Sequence, residues 1–145
     1  MPCCVFFGHK DADPSVLPRV KHEIEKLICD YEVNEFLVGN NGRFDYLAYT
    51  ALKELKCQYP QIAFSVVLAY LPGTKTENEP YYSEEETLLP DGIENSLRRF
   101  AIDRRNRWMI EKADYVITYV THDWGGAAKF KELAEKKKKT VINLP

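Results

Sequence analysis

Short apolar runs closed by glycine alternate with segments of helical period along this chain, and that order leaves few folds open. Cys3-Cys4-Val5-Phe6-Phe7 ends on Gly8, and Glu35-Phe36-Leu37-Val38 ends on Gly39-Asn40-Asn41-Gly42. Runs this short and continuously apolar read as strands buried on both faces. After Pro14, Ser15 and Pro18, the residues Val16, Val20, Ile24, Leu27 and Ile28 recur at helical spacing among charged residues, which predicts an amphipathic helix. A second helix runs from Arg43 to Gln58, with Phe44, Leu47, Ala48, Ala51, Leu52 and Leu55 on one side. Tyr59-Pro60 ends it, because proline cannot continue the ladder. Ile62 to Leu71 reads as the third strand, Asp114 to Val120 as the fourth and Thr140 to Leu144 as the fifth. Helices are expected from Ser96 or Leu97 to Lys112, on Phe100, Ile102, Trp108, Met109 and Ile110, and from Trp124-Gly125-Gly126-Ala127-Ala128 to about Lys138. Strands alternating with helices over short connections imply right-handed crossovers. The expected fold is therefore α/β, a three-layer α/β/α, Rossmann-like open parallel sheet of about five strands, forming one domain over residues 1–145.

One stretch breaks the pattern. Pro72 to Asn95 holds Pro72, Gly73, Pro80, Pro90, Gly92 and Glu84-Glu85-Glu86 without a sustained period, so a long loop is expected after the third strand. Loops of this length are usually lids, binding loops or disordered stretches, and mobility alone would also explain this one. The whole chain balances 20 Lys+Arg against 22 Asp+Glu over 145 residues, for a net charge of −2. That gives no global attraction for a nucleic-acid backbone. The apolar stretches at Ala63 to Leu71 and Tyr115 to Val120 are too short for a bilayer, and MPCCVFFGHKDADP has no basic leader. A cytoplasmic protein with no membrane partner is expected. The four cysteines, at 3, 4, 29 and 57, lack CxxC spacing, so no metal is expected and they read as small buried hydrophobes in a reduced protein. Cys3 and Cys4 should face opposite sides of their strand.

In an open parallel sheet ligands bind beyond the carboxyl ends of the strands, and each candidate motif falls just there. Gly8-His9-Lys10 follows the first strand, Gly39-Asn40-Asn41-Gly42 the second, Ala69-Tyr70-Leu71-Pro72 the third and Thr121 to Ala128 the fourth. The second loop and the helix after it could present backbone N–H groups to a phosphate; ordinary turn chemistry explains the same residues. Asp45, in the first helical turn, either caps the helix or accepts a ribose hydroxyl. Trp124-Gly125-Gly126-Ala127-Ala128 offers a second anion site, or small residues for close packing of helix on sheet. His122 and Asp123 stand just before it, where a loop histidine is ordinarily solvated. Arg98, Arg99, Arg104, Arg105 and Arg107 crowd one helix, with Arg98, Ile102 and Arg105 on one face, so one or two arginines should face a ligand. Lys136 to Lys139 reads as a solvated helix end. Tyr81-Tyr82 and the three glutamates could decorate a lid. No nucleophile elbow, Walker motif or zinc pattern is present.

In combination these pieces resemble the SLOG superfamily of Rossmann-like proteins, especially its small bacterial YpsA-like group; relatives include the LOG phosphoribohydrolases and DprA. CCVFFGHK looks like the group's "FTGHR", FLVGNNGRFDYLA like its glycine-rich second loop with a following Asp, and RNRWMIEKADYVI with WGGA like its "RN..M...AD..I" and "GGT" segments. The resemblance implies a nucleotide or nucleotide-derived ligand held between the glycine-rich loops and a homo-oligomer, dimer or larger; no cofactor is expected. With the two glycine-rich turns and the adjacent arginines, phosphate contacts are expected from Gly39, Asn40, Gly42, Gly125 and Gly126, charge neutralisation from Arg105 with Lys10, first-loop contacts from Gly8 and His9, and ribose or base contacts from Asp45 and Trp124. Tyr46 and Tyr49 are expected to be exposed aromatics compatible with a helix interface. The alternative it carries is a nucleoside 5′-monophosphate phosphoribohydrolase, whose arginine maps onto Arg105. The LOG glutamate has no clean counterpart: Lys129 and Phe130 stand near its place, and Glu132, or a lid carboxylate such as Glu84 or Glu86, would have to replace it. GHK also keeps the cation of GHR without its bidentate fork. These departures favour a binding or sensing module. A DprA-like role on single-stranded DNA is not expected of so acidic a chain.

Overall fold

The computed structural model describes residues 2–70, 82–93 and 96–144. Strands β1 (Cys3–Gly8), β2 (Glu35–Val38), β3 (Ala63–Val67), β4 (Thr87–Leu88), β5 (Tyr115–Tyr119) and β6 (Thr140–Asn143) form one parallel sheet in the order β4-β3-β2-β1-β5-β6. Helices α1 (Leu17–Tyr31) and α2 (Arg43–Gln58) precede and follow β2; α3 (Arg98–Lys112) leads into β5 and α4 (Gly126–Lys136) into β6. The chain walks outward from β1 to β4, then returns through α3 to pair β5 with the other side of β1. The order therefore reverses between β1 and β5, where a crevice opens at the strand ends.

Alternation along β1 builds both layers. Cys4 and Phe6 join the core under α1 and α2, with Val20, Ile24, Leu52 and Leu55; Cys3, Val5 and Phe7 join the core under α3 and α4, with Met109, Ile110 and Phe130. A short 3-10 turn, Pro14–Val16, starts α1, and the Asp13 carboxylate accepts the Ser15 N–H at 2.9 Å as its cap. Glu32, in the left-handed region at φ 56°, ends it.

Several sequence expectations are corrected here. The sheet has six strands rather than five, because Thr87 and Leu88 pair with Val66 and Val67 at its edge; two residues carry no period to read. A 3-10 turn at Glu84–Glu86 precedes them, so 82–93 is not structureless, while 71–81, 94 and 95 lie outside the described residues. β3 ends at Val67, not Leu71, and α4 ends at Lys136, with Lys138 at φ 62° beyond it. Cys29 and Cys57 are exposed, unlike Cys3 and Cys4. Tyr46 is exposed, but Tyr49 is buried against Phe64 and Tyr82, its ring edge-on to Tyr82 at 4.8 Å. In α3, Phe100 is exposed and the inward stripe is Ala101, Arg105 and Met109. The apolar residues of the sequence could not show that an arginine holds the middle of that stripe.

Candidate functional site

A cavity of about 520 Å³ opens at the carboxyl ends of β1 and β5. The loop after β1 contributes Gly8, His9, Lys10 and Asp11; the start of α2 contributes Asn41 and Asp45; Ile102, Arg105 and Asn106 of α3 face it, and His122 with Trp124 to Ala127 close it from the β5 side. Eight of the expected ligand residues thus converge: Gly8, His9, Lys10, Asp45, Arg105, Trp124, Gly125 and Gly126. Gly39, Asn40 and Gly42 do not line it, though Asn41 does.

Those three residues organise the floor instead. Arg105 is 1% exposed. It donates from Nε to Asn106 Oδ1 at 2.8 Å, and from Nη1 to Asn40 Oδ1 at 2.8 Å and the Val67 carbonyl at 3.1 Å. One guanidinium therefore ties α3 to the loop after β2 and the end of β3. A Cβ on Gly39 would stand 2.9 Å from Asp45 Oδ2 and 3.1 Å from Arg105 Cζ, so glycine is needed for both side chains to fit beneath the loop. Asp45 is buried and its Oδ2 accepts the Asn41 N–H at 2.9 Å. Burial pushes its carboxyl up to about 6, against the pull of the Arg105 guanidinium and the Asn41 N–H. Asp45 thus holds the loop before α2 through Asn41 and also lines the cavity.

The two loop-to-helix turns differ in what their amides face. At α2, Gly42 (φ 110°) lies so close to Lys10 that a Cβ would stand 2.8 Å from its Cα, and the Arg43 N–H donates to the Lys10 carbonyl at 2.9 Å. That helix start is closed by protein. At α4, Gly125 (φ 93°) precedes the helix and no side chain caps it. Among the described residues, a Cβ on Gly126 would meet nothing within 4 Å, and one on Gly125 only His122 Cε1 at 3.9 Å. Close packing on the sheet is therefore not the reason for these glycines. They border open cavity, at the positive end of a helix dipole.

Sequence reasoning missed the wall beside that turn. The rings of His9 and His122 stack with centroids 4.0 Å apart at 18°, and His122 stacks on Trp124 at 3.8 Å and 14°. His9 Nε2 accepts the Thr121 N–H at 2.9 Å, which fixes the first ring of the column. Burial, then the neighbouring His122, holds His9 below its ordinary pKa. His122 Nδ1 is buried without a hydrogen-bond partner among the described residues. Trp124, at the far end, is 69% exposed. Only the β1–β5 pairing brings the two histidines together.

Other expected participants lie elsewhere. Glu132 lines a separate cavity of about 370 Å³ with Thr121, Asp123 and Lys131, and pairs with Lys136 at 3.2 Å on the surface. The structure does not bring it to Arg105. Glu84 and Glu85 are exposed, and Glu86 faces Lys53 of α2 at 3.8 Å; none of the three lines the larger cavity. Arg99, Arg104 and Arg107 point outward, Arg107 onto Asp103 at 2.7 Å, and the Arg98 side chain lies outside the described part. Lys136 and Lys137 pair with Glu132 and Glu111, as suits a solvated helix end.

No family model and no curated protein matches this chain. Among solved structures it is similar to the X-ray structure of DNA processing protein A (DprA) from Streptococcus pneumoniae, with a TM-score of 0.69 at 17% identity. The match covers 100% of this chain and 50% of that one, so the chain spans about half the length of that protein. At this identity the likeness is one of architecture, and the chain has a DprA-like Rossmann fold.

Proposed function

We propose that this domain is a ligand-binding or sensing module for a nucleotide or nucleotide-derived small molecule, seated in the 520 Å³ cavity. The observation that carries the reading is the α4 turn. Gly125 and Gly126 leave the helix start uncapped by any side chain and open to a cavity that Lys10 also lines. Backbone N–H groups, a helix dipole and an ammonium favour a phosphate there. Arg105 acts from below as a positioning residue that holds the loop after β2, while Asp45 offsets its charge. The YpsA-like resemblance in GHK, GRFD and WGGA supports the same ligand class.

The test is calorimetry against nucleoside mono-, di- and triphosphates, cyclic nucleotides, ADP-ribose and inorganic phosphate. Absence of any binder at millimolar concentration sinks the reading. The geometry does not favour a phosphoribohydrolase using Arg105 and Glu132, since the one is buried and the other faces another cavity. Free adenine released from AMP, and lost in Arg105→Ala, would restore that alternative. The reading also takes the chain as cytoplasmic and self-associating, with Tyr46 on an exposed face of α2; native mass spectrometry gives the subunit count and any retained ligand together.

A further inference from the structure

We propose that the column His9–His122–Trp124 is a nucleobase platform, with the open face of Trp124 as the surface on which a base stacks. This rests on the reading of the cavity as a nucleotide site. It adds that the ligand carries an intact base, purine in preference to pyrimidine, and is not a sugar phosphate or free phosphate. Three observations support it. First, Trp124 is 69% exposed yet its ring is nearly parallel to His122, at 14° and 3.8 Å, so one indole face is covered and the ring is oriented. Second, the column is anchored at its inner end: His9 stacks on His122 at 4.0 Å and accepts the Thr121 N–H. An aromatic ring held from behind loses little freedom when a flat ligand lands on its front. Third, Trp124 immediately precedes Gly125 and Gly126 and lines the same cavity. A stacked base therefore lies beside the turn suited to its phosphate. Stacking is attractive for any base because every base has a π-face, and it grows with ring area, hence the purine preference.

The probes are AMP, UMP and ribose 5-phosphate, measured by calorimetry on the full chain. Only two tryptophans are present. Trp108 is half-buried beneath the Lys112 ammonium at 5.5 Å, so Trp108→Phe leaves Trp124 as the sole indole reporter. AMP should quench its fluorescence and ribose 5-phosphate should not. Trp124→Ala should weaken AMP binding by roughly 5- to 150-fold, the range of base–aromatic stacking. It should leave ribose 5-phosphate affinity unchanged, and Trp124→Phe should recover most of the AMP affinity. Equal AMP affinity in wild type and Trp124→Ala overturns the platform while leaving nucleotide binding intact. Absence of AMP and UMP binding to the wild type overturns the platform, and absence of every binder in the wider nucleotide panel overturns the reading on which it rests. Because Trp124 is exposed, an unchanged far-UV circular dichroism spectrum is expected for the alanine variant; its loss would place the ring in the fold rather than the site and overturn the proposal.

Discussion

Asp45→Asn should make this protein more stable at neutral pH, although it removes the acidic neighbour of a buried arginine. The carboxyl's pKa of about 6 stands against an ordinary 3.8, so ionising it is harder in the folded chain than in the unfolded one. At 1.36 kcal/mol per pKa unit that difference is ~3 kcal/mol. The value already includes the attraction of Arg105, which is therefore smaller than the burial penalty. Between the two pKa values the folded state holds the proton more tightly, so stability falls as pH rises from 3.8 through 6. About 2 kcal/mol of that fall lies between pH 4.5 and 7.5 by single-site linkage. Asparagine mimics the neutral form and keeps an oxygen for the Asn41 N–H. The charge-assisted part of that bond is already contained in the pKa, so the expected gain is up to ~3 kcal/mol at pH 7.5. The assay is urea denaturation of both proteins at pH 4.5 and 7.5. The difference between them should shrink by about 2 kcal/mol at the lower pH, a comparison in which other titrating groups cancel. A variant less stable at pH 7.5 by 1 kcal/mol or more would refute the reasoning, and would mean that Asp45 is needed as a counter-ion for Arg105.

The other predictions concern the same residues from different sides. Arg105→Met should cost about 3–5 kcal/mol in the same assay at pH 7.5, since it strands Asn40 Oδ1, Asn106 Oδ1 and the Val67 carbonyl; a loss below 1 kcal/mol contradicts the positioning role. The glycines should separate stability from binding. Gly8→Ala puts a Cβ 2.2 Å from the Phe44 ring and should lower stability by at least ~1–3 kcal/mol. Gly126→Ala meets open space and should stabilise by ~0.4–1 kcal/mol, while weakening AMP binding in calorimetry; unchanged affinity would remove phosphate from the α4 turn. His9 should titrate with a midpoint below 6.5, and the Thr121 amide should report the same midpoint by NMR, because protonating Nε2 breaks their bond. Its folded pKa is depressed, so the stability it contributes is present above 6.5 and lost on acidification through that range. A midpoint above 6.5 would contradict the burial of the His9 ring against His122.

The architecture was legible because the two periodicities are local. Cys3 to Phe7, with Cys3 and Cys4 on opposite faces, the stripe from Val20 to Ile28, and Pro60 after α2 each declare themselves within one window. What failed was either too short to have a period, as Thr87-Leu88, or made of residues whose partners are far along the chain. Arg105 belonged by composition to a charged, exposed run, yet it occupies the inward stripe of α3 because Asn40, Val67 and Asn106 supply acceptors.

The same division runs through the site. The sequence by itself determined that turns carrying glycine follow β1, β2 and β5, at the carboxyl end of the sheet where a ligand is proposed. Only the tertiary structure decided which turn is open. Glycine at 42 and glycine at 125 look alike in sequence and share positive φ; Lys10 fills the space before one, while among the described residues only His122 Cε1, at 3.9 Å, approaches the other. Local conformation follows from residue type, but vacancy depends on what other strands carry into the neighbourhood. The pairing of β1 with β5 likewise stacks His9 on His122 and leaves Trp124 facing out.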